Sequence, residues 1–497
     1  MTVQPAEIQD TEIQATEAQD NRSATSVDHE MRRVLAAQRQ AHLQVGPPSP
    51  EVRIDRIQRA IQLLVDNDQR IAEALRSDFG HRSIDQSRLT DVASSIEALK
   101  FARKNLKSWM RSEKRRAQFP LGLMGARAEI RYQPLGVVGV ISPWNFPVNL
   151  TFAPLAGIFA AGNRVMIKPS EYTPATSELM REMVESAYDE TEAAVFPGGP
   201  ELGQAFSRLP FDHLLFTGST SVAHHVMRAA AENLVPCTLE LGGKSPVVVS
   251  RSSDLAEVAT KVMNGKLLNA GQICLAPDYV LVPSEKKDEF VEELRSATLA
   301  MYPTMADNPD YTAVVNERHY RRLSGYIDAA RERGEEVVEL KPEGETLPSD
   351  DAYRMPPTLI IEADDESPAM TDEIFGPVLP IKTYESVDEV IDYINQRPRP
   401  LAIYYFGKDD REQERLLSRT LSGGVTLNDV IMHVSMEDLP FGGVGPSGMG
   451  AYHGRDGFRT FSHARAVFKQ ARIDVGKMLR PPYGSKIRGL LKQQIKP

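Results

Sequence analysis

Cysteine is scarce in this chain. Two residues, Cys237 and Cys274, among 497 cannot build a disulfide framework, so the expected setting is a reducing one, the cytoplasm. No apolar run approaches the ~20 residues that span a bilayer. Met1 to Asp28 also lacks the apolar core of a secretory signal. Positive charge is not in excess: 58 basic against 68 acidic residues give a net charge of −10, which removes the reason to expect nucleic acid or anionic lipid. The basic cluster Arg111, Lys114, Arg115 and Arg116 has no interleaved stacking aromatics and reads as a solvated face. What remains is a globular protein that handles small molecules, long enough for roughly three domains at ~150 residues each.

The two ends carry opposite charge. Residues 1–28 hold six acids (Glu7, Asp10, Glu12, Glu17, Asp20 and Asp28) against Arg22, with too few apolar side chains to offset the entropy of ordering, so a disordered acidic tail is expected. Residues 469–497 hold Lys469, Arg472, Lys477, Arg480, Lys486, Arg488, Lys492 and Lys496 against Asp474. They are expected to form a solvated or subunit-contacting basic tail.

Between the tails the periodicity alternates. Ile54, Ile57, Ile61 and Leu64 are spaced three, four and three apart, one face of a helix, and a second helical stretch runs to about Trp109. From Gly136 to Glu240 short apolar runs alternate with helix-length segments, the pattern of βαβ units on a parallel sheet. Strands are predicted at Gly136–Ile141, Arg164–Ile167, Ala193–Phe196, His213–Phe216 and Cys237–Glu240, winding into a Rossmann-like domain. Asn145, Lys168, Gly218 with Ser219, and Glu240 then all fall at carboxyl ends of strands, the edge where open α/β sheets bind ligands. A second α/β unit follows, with strands at Val247–Val249, Tyr279–Val282, Thr358–Ile361, Val378–Thr383, Ile403–Phe406 and Val425–Leu427 and helices at Asp254 to about Leu268 and near Val387–Asn395. Cys274 lies in a loop of this unit, and the catalytic site is expected between the two domains.

A loop thiol in Asn269-Ala-Gly-Gln-Ile-Cys274 following a carboxylate in Leu239-Glu-Leu-Gly-Gly-Lys-Ser-Pro246 is a nucleophile paired with a candidate water-activating base. Glycines around both permit close backbone approach. Cys237, at the start of a strand, is assigned to packing.

Seven motifs in order carry a resemblance: Pro143-Trp-Asn-Phe-Pro147, Lys168-Pro-Ser-Glu171, Phe216-Thr-Gly-Ser-Thr220, Glu240-Leu-Gly-Gly-Lys244, Gly271-Gln-Ile-Cys274, Glu373-Ile-Phe-Gly-Pro377 and Leu439-Pro-Phe-Gly-Gly443. From about Val52 to Lys469 the chain resembles the aldehyde dehydrogenase superfamily, within it the class 3-like branch that includes bacterial coniferyl aldehyde dehydrogenases. The resemblance implies NAD(P)-dependent oxidation of an aldehyde to the acid through a cysteine thiohemiacetal and thioester. Cys274 would be the nucleophile, Glu240 the general base, and the amide of Asn145 with the backbone N–H of Cys274 the oxyanion donors. Trp144, Lys168, Ser170, Glu171, Gly218, Ser219, Glu373 and Phe375 would hold the cofactor. Glu171 on the ribose favours NAD, with NADP also accepted, and Glu373 is an alternative base. No metal is implied.

The resemblance further implies an NAD-binding domain over 29–111 and 133–242, a catalytic domain over 243–434, and a small β oligomerisation element from 112–132 and 455–468, with a homodimer as the assembly. One departure is Ala223, where the family often has glycine. Phe146, Tyr279, Trp144 and residues near Ile431 to Met436 are candidate walls of an apolar tunnel for aromatic or medium-to-long aliphatic aldehydes. A CoA-acylating semialdehyde dehydrogenase and a non-catalytic structural protein on the same scaffold are the competing readings.

Overall fold

The computed structural model describes residues 26–119, 121–347, 352–472, 474, 476 and 480–495. Its strands are β1 (Glu113–Arg115), β2 (Arg127–Pro134), β3 (Val137–Ile141), β4 (Arg164–Lys168), β5 (Ala193–Val195), β6 (His213–Thr217), β7 (Cys237–Glu240), β8 (Pro246–Val249), β9 (Tyr279–Pro283), β10 (Glu336–Glu339), β11 (Thr358–Ile361), β12 (Val378–Tyr384), β13 (Ala402–Phe406), β14 (Gly424–Leu427), β15 (Gly448–Met449) and β16 (Ser462–Lys469). They form a six-stranded sheet in the order β15-β7-β6-β3-β4-β5, a seven-stranded sheet in the order β10-β11-β12-β9-β8-β13-β14, and a three-stranded sheet β1-β2-β16. The first two are parallel apart from the edge strands β15 and β10. The strands expected from the sequence agree with these to within one residue at each end.

The first sheet is sandwiched by helices whose apolar stripes it covers. The helix Asn149–Ala161 is apolar all round and almost wholly buried, as a helix packed between a sheet and other helices must be. On it lie Pro50–Asp66, started by Ser49 capping and Pro50, and Ser94–Trp109. Ile57, Ala60, Ile61 and Leu64 share one core with Leu99, Ala102 and Leu106. Gly162 ends the helix Asn149–Ala161 in the left-handed region at φ 92°, the usual glycine stop.

Three expectations change at their boundaries. The acidic tail lies outside the described residues up to 25, but residues 26–28 already belong to a helix over 26–45. Met31, Val34 and Leu35 of that helix are buried, and Gln38 donates to the backbone oxygens of Val165 (3.0 Å) and Glu190 (2.8 Å). Its acidic start resembles the tail in composition, while its buried stripe lies further along. The stretch 455–468 is divided: the helix Gly454–Thr460 packs on Asn149–Ala161, with the Gly457 backbone against Gly157, and only β16 joins the three-stranded sheet. There β16 pairs with β2 across eight residues. The basic cluster after Trp109 is divided too, since Lys114 and Arg115 lie on β1.

Candidate active site

The strand order β7-β6-β3-β4 sets four carboxyl ends side by side. Glu240 closes β7, Gly218 and Ser219 follow β6, Trp144 and Asn145 lie in the loop after β3, and Lys168 closes β4. The Gly218 N–H donates to the Glu240 carbonyl (3.1 Å), stitching two of these ends together.

Cys274 is delivered by the second domain. Its helix Leu255–Leu267 runs into a tight turn, Leu268–Gly271, in which Asn269 and Ala270 both hold φ near 51° and Gly271 holds 74°. Consecutive positive φ angles are strained for non-glycine residues and persist where surrounding contacts enforce them. Here they do. A β-carbon on Gly271 would stand 2.3 Å from the Gly376 carbonyl oxygen. Gln272, fully buried, donates to the carbonyls of Asn269 and Ala313 (3.0 Å each) and accepts from the Val315 N–H (2.9 Å).

The same turn meets Asn145. The Asn145 Nδ2 donates to the Gln272 carbonyl (3.2 Å), and the Asn145 carbonyl accepts from Asn269 Nδ2 (3.1 Å) and Arg82 Nη1 (2.8 Å). Arg82 is paired at 2.7 Å with Asp91, both fully buried, and Asp91 accepts the N–H groups of Val148 and Asn149. A buried ion pair thus holds both ends of the loop that carries Asn145. Asp91 sits in a π-helical segment, Arg88–Ala93, an irregularity often found at functional sites.

Three acids gather here. Glu240 is buried, and neither carboxylate oxygen has a hydrogen-bond partner among the described residues. Burial, followed by the charge of Glu373, pushes its pKa well above the carboxylate range. The Cys274 thiol is likewise pushed up by burial and then by Glu240 and Glu373, against its own N–H and that of Leu275. Glu373 keeps part of its surface exposed, yet Oε1 is shielded and has no partner among the described residues. Burial moves it up to about 8, opposed chiefly by the Gly243 N–H. All three shifts favour the neutral form, and the groups titrate together rather than singly.

The remaining predicted residues form the flank nearest β4 and β6. Lys168 Nζ pairs with Glu171 Oε2 at 3.0 Å, and burial lowers the ammonium's pKa against that pairing. Ser170 Oγ accepts from the Tyr172 N–H (3.2 Å). Ser219 caps the helix Thr220–Ala231 through the Val222 N–H, so the positive end of that helix opens on the same edge. Trp144 and Phe375 are edge to face with centroids 5.3 Å apart, and His319 is 5.1 Å from Trp144.

One candidate leaves the site. Tyr279 packs with Val248 and Leu281 in a separate core, its ring 6.0 Å from Tyr393. Strand alternation sends it to the face opposite Val280 and Val282. Sequence reasoning missed Arg82, Asp91, Asn269 and Gln272 as supports. It also missed Asp278, which is salt-bridged to Lys244 and accepts the Ile374 N–H (3.0 Å), fixing the loop that carries Glu373. Asn269 and Gln272 stood inside a quoted motif; nothing local marked Arg82 or Asp91.

Among the described residues no helix is long and apolar enough to cross a membrane, and no acid, cysteine and histidine cluster is arranged to hold a metal. The sequence model described as the Aldehyde dehydrogenase family matches residues 7–467. A probable coniferyl aldehyde dehydrogenase of Caulobacter vibrioides is 61% identical over 94% of this chain and 97% of its own length. The coniferyl aldehyde dehydrogenase of a Pseudomonas species is 54% identical over 92% and 94%. In the substrate-bound structure of Staphylococcus aureus AldH, 35% identical, the fold superposes with a TM-score of 0.87 over 94% of this chain and 99% of that one.

Proposed function

The chain belongs to the aldehyde dehydrogenase family, and from that premise we propose that it oxidises a coniferyl-type aromatic aldehyde to the carboxylic acid with NAD, Cys274 forming the covalent intermediates. The carrying observation is the convergence of the Cys274 turn on Asn145, joined by the Asn145 to Gln272 hydrogen bond, beside the carboxyls of Glu240 and Glu373, whose charges act on the thiol. The identity to two relatives named for coniferyl aldehyde supports the substrate class.

The chemistry follows from these groups. Cys274 Sγ, once its proton has been released to solvent, bonds to the aldehyde carbon, which leaves Glu240 free to act in the later step. The oxygen turns into an oxyanion, stabilised by the second N–H of the Asn145 amide and the Cys274 backbone N–H. NAD, when bound, supplies the acceptor for the hydride that leaves the same carbon. The thioester left on Cys274 is attacked by water whose proton Glu240 takes. The C–S bond breaks, the acid departs and Cys274 is regenerated. Because Glu240 is buried without a hydrogen-bonding partner among the described residues, the carboxylate is reactive when ionised, which favours hydrolysis over release to CoA.

The flank nearest β4 and β6 fits a dinucleotide. The Lys168 and Glu171 pair suits ribose hydroxyls, the Ser219-capped helix end suits a pyrophosphate, and Gly203 leaves room beside Lys168, since a β-carbon there would meet only its Cε at 3.7 Å. Trp144, Ser170, Gly218, Glu373 and Phe375 complete the set. We assign the assembly as a cytoplasmic homodimer. β16 is an eight-residue, largely exposed strand at the edge of its sheet, an edge that invites pairing with another chain.

NADH absorbance with purified protein, NAD and aldehydes from short aliphatic through long-chain to cinnamyl-type tests this reading. Highest kcat/KM on the cinnamyl type supports it. A maximum on short aliphatic aldehydes, or turnover that requires CoA, overturns it.

A further inference from the structure

The amino end of β4 borders a second concave site, at the opposite edge of the sheet from Lys168 and roughly 13 Å from it along the strand. Helix 26–45, the turn at Gly46 and the start of the helix Pro50–Asp66 close over Gly162 and Arg164 and leave a cleft of about 210 Å³. His42, Ser49, Arg56 and Arg164 form its polar wall, and Val45, Pro48 and Val52 its apolar rim. Arg56 and Arg164 are only 5% and 6% exposed. Arg56 donates from Nε to Glu192 (2.9 Å) and from Nη1 to the Asn163 carbonyl (3.2 Å), and Arg164 donates from Nη1 to the Thr191 carbonyl. The other N–H groups, on Arg56 Nη2 and on Arg164 Nε and Nη2, have no hydrogen-bond partner among the described residues and are not sealed from solvent, so they open on the cleft. Ser49 Oγ accepts the Val52 N–H (3.4 Å), which leaves its own proton to donate.

The charge at this site is not balanced within the fold. Behind the wall lies Arg53, which donates to the carbonyls of Ala160 (2.8 Å) and Pro48 (3.0 Å), and a β-carbon on Gly162 would stand 2.8 Å from its Cζ. Among the described residues neither Arg53 nor Arg164 has a carboxylate within ion-pair distance, and Glu192 is shared between Arg56 and Arg59. Asp212 pairs with Arg39 and accepts the Val137 N–H, while Asp189 accepts from Thr191. Against the guanidiniums of Arg53, Arg56 and Arg164 stand the shared Glu192 and the carbonyl end of the helix Asn149–Ala161, worth about half a negative charge. Roughly one and a half positive charges remain where an uncompensated cation is costly.

We propose that this cleft binds a phosphate monoester: Arg56, Arg164 and the Ser49 hydroxyl receive the phosphoryl oxygens, and the ester group lies along Val45, Pro48 and Val52. A monoester carries about −1.5 to −2 at neutral pH, which matches the surplus, and guanidinium forks suit its oxygens. A carboxylate carries a single charge and leaves part of the surplus standing. Because His42 belongs to helix 26–45 and Arg164 to β4, a bound phosphate ties that helix to the sheet, and a ligand held only by the folded chain stabilises it.

The test is calorimetric titration and thermal melting of the full chain, saturated with NAD so that the cofactor's own phosphate positions are filled. Phenyl phosphate is the probe, compared with benzoate, inorganic phosphate and sodium chloride at equal ionic strength. Phenyl phosphate is expected to bind at a single site and raise the melting temperature. R164M is expected to weaken that binding roughly tenfold or more, the loss of charge-assisted hydrogen bonds. V45D places a negative charge on the rim at a residue 71% exposed, so it gives the same comparison without disturbing the interior if R164M does not fold. Phenyl phosphate that binds no better than chloride, benzoate or inorganic phosphate that binds as tightly, or parent-like affinity in either folded variant overturns the proposal.

Discussion

The carboxylate of Glu373 lies over the Cα of Gly242, so close that a β-carbon there would stand 2.1 Å from Oε1 and 2.2 Å from Oε2. The glycine is needed for space rather than for backbone freedom, because Gly242, unlike Gly243, is absent from the positive-φ residues. G242A is therefore expected to displace Glu373 without breaking β7. Turnover should fall by roughly tenfold or more, in line with the loss of a positioned catalytic group, while the melting temperature changes little. Steady-state kinetics beside a thermal melt checks both halves, and an unaltered kcat/KM would show that Glu373 works equally well from elsewhere.

Asn145 separates a structural from a chemical role. One N–H of its amide is spent on the Gln272 carbonyl, and the other is assigned to the oxyanion. N145A should lower kcat by roughly 100- to 1,000-fold, the usual cost of one oxyanion donor. KM should move far less, because that donor acts when charge develops. A comparable rise in KM with kcat preserved would mean that Asn145 binds the ground state.

Glu373 makes stability depend on pH in an unusual direction. A carboxyl free in the unfolded chain titrates near 4.5, and in the fold near 8. Its contribution is thus fully present below about pH 4.5 and is lost progressively as pH rises to about 8, because unfolding releases a proton in that window. E373Q carries no such proton. Melts of parent and variant across the window should show the variant gaining relative stability as pH rises, then a constant difference above about pH 8. A variant that loses stability relative to the parent as pH rises would mean the carboxylate is stabilised in the fold.

Much of this architecture was legible because the residues concerned obey local rules. β7, β11 and the helix Val387–Asn395 are bounded by turn-forming residues or a capping serine, and Glu240 and Lys168 terminate apolar runs that admit one strand assignment. The proposed catalytic pair drew notice for another reason, since Cys274 and Glu240 both lie in glycine-rich segments. What escaped depended on contacts between distant segments. Arg82 reaches Asn145 across 63 residues, and the buried stripe of helix 26–45 follows an acidic stretch that hides it. Tyr279 failed as a tunnel residue because the choice of sheet face is set by which side each helix crosses, and composition does not record that.

Arg82 and Asp91 offer a direct test of how far the site depends on support beneath it. Both side chains are fully buried, and burial pulls each pKa toward neutrality against the attraction between them. R82M leaves Asp91 uncompensated, and breaking such a pair costs about 3–5 kcal/mol. R82M/D91N removes the stranded charge and should recover part of the stability. It should not recover activity, because the Asn145 carbonyl has still lost its Arg82 donor. Denaturant unfolding and kinetics on both variants check this, and a fully active double variant would assign the pair to folding alone.

The proposed placing of Glu171 at the adenosine ribose predicts the cofactor choice. Its carboxylate is held by Lys168 at 3.0 Å, and its side chain is one-third exposed, so solvent screens it and its effect on a nearby charge is moderate. A 2′-phosphate brought to that ribose position meets a negative charge, and Lys168, already paired, offsets it only in part. E171Q keeps the shape and a hydrogen bond to ribose while removing the repulsion. It should raise kcat/KM for NADP on the order of tenfold with little change for NAD, and higher salt should narrow the parent's preference while leaving the variant's almost unmoved. Parallel NAD and NADP titrations at two ionic strengths read this directly. Equal losses with both cofactors would place Glu171 in the loop's structure instead, as the partner that keeps a buried lysine charged.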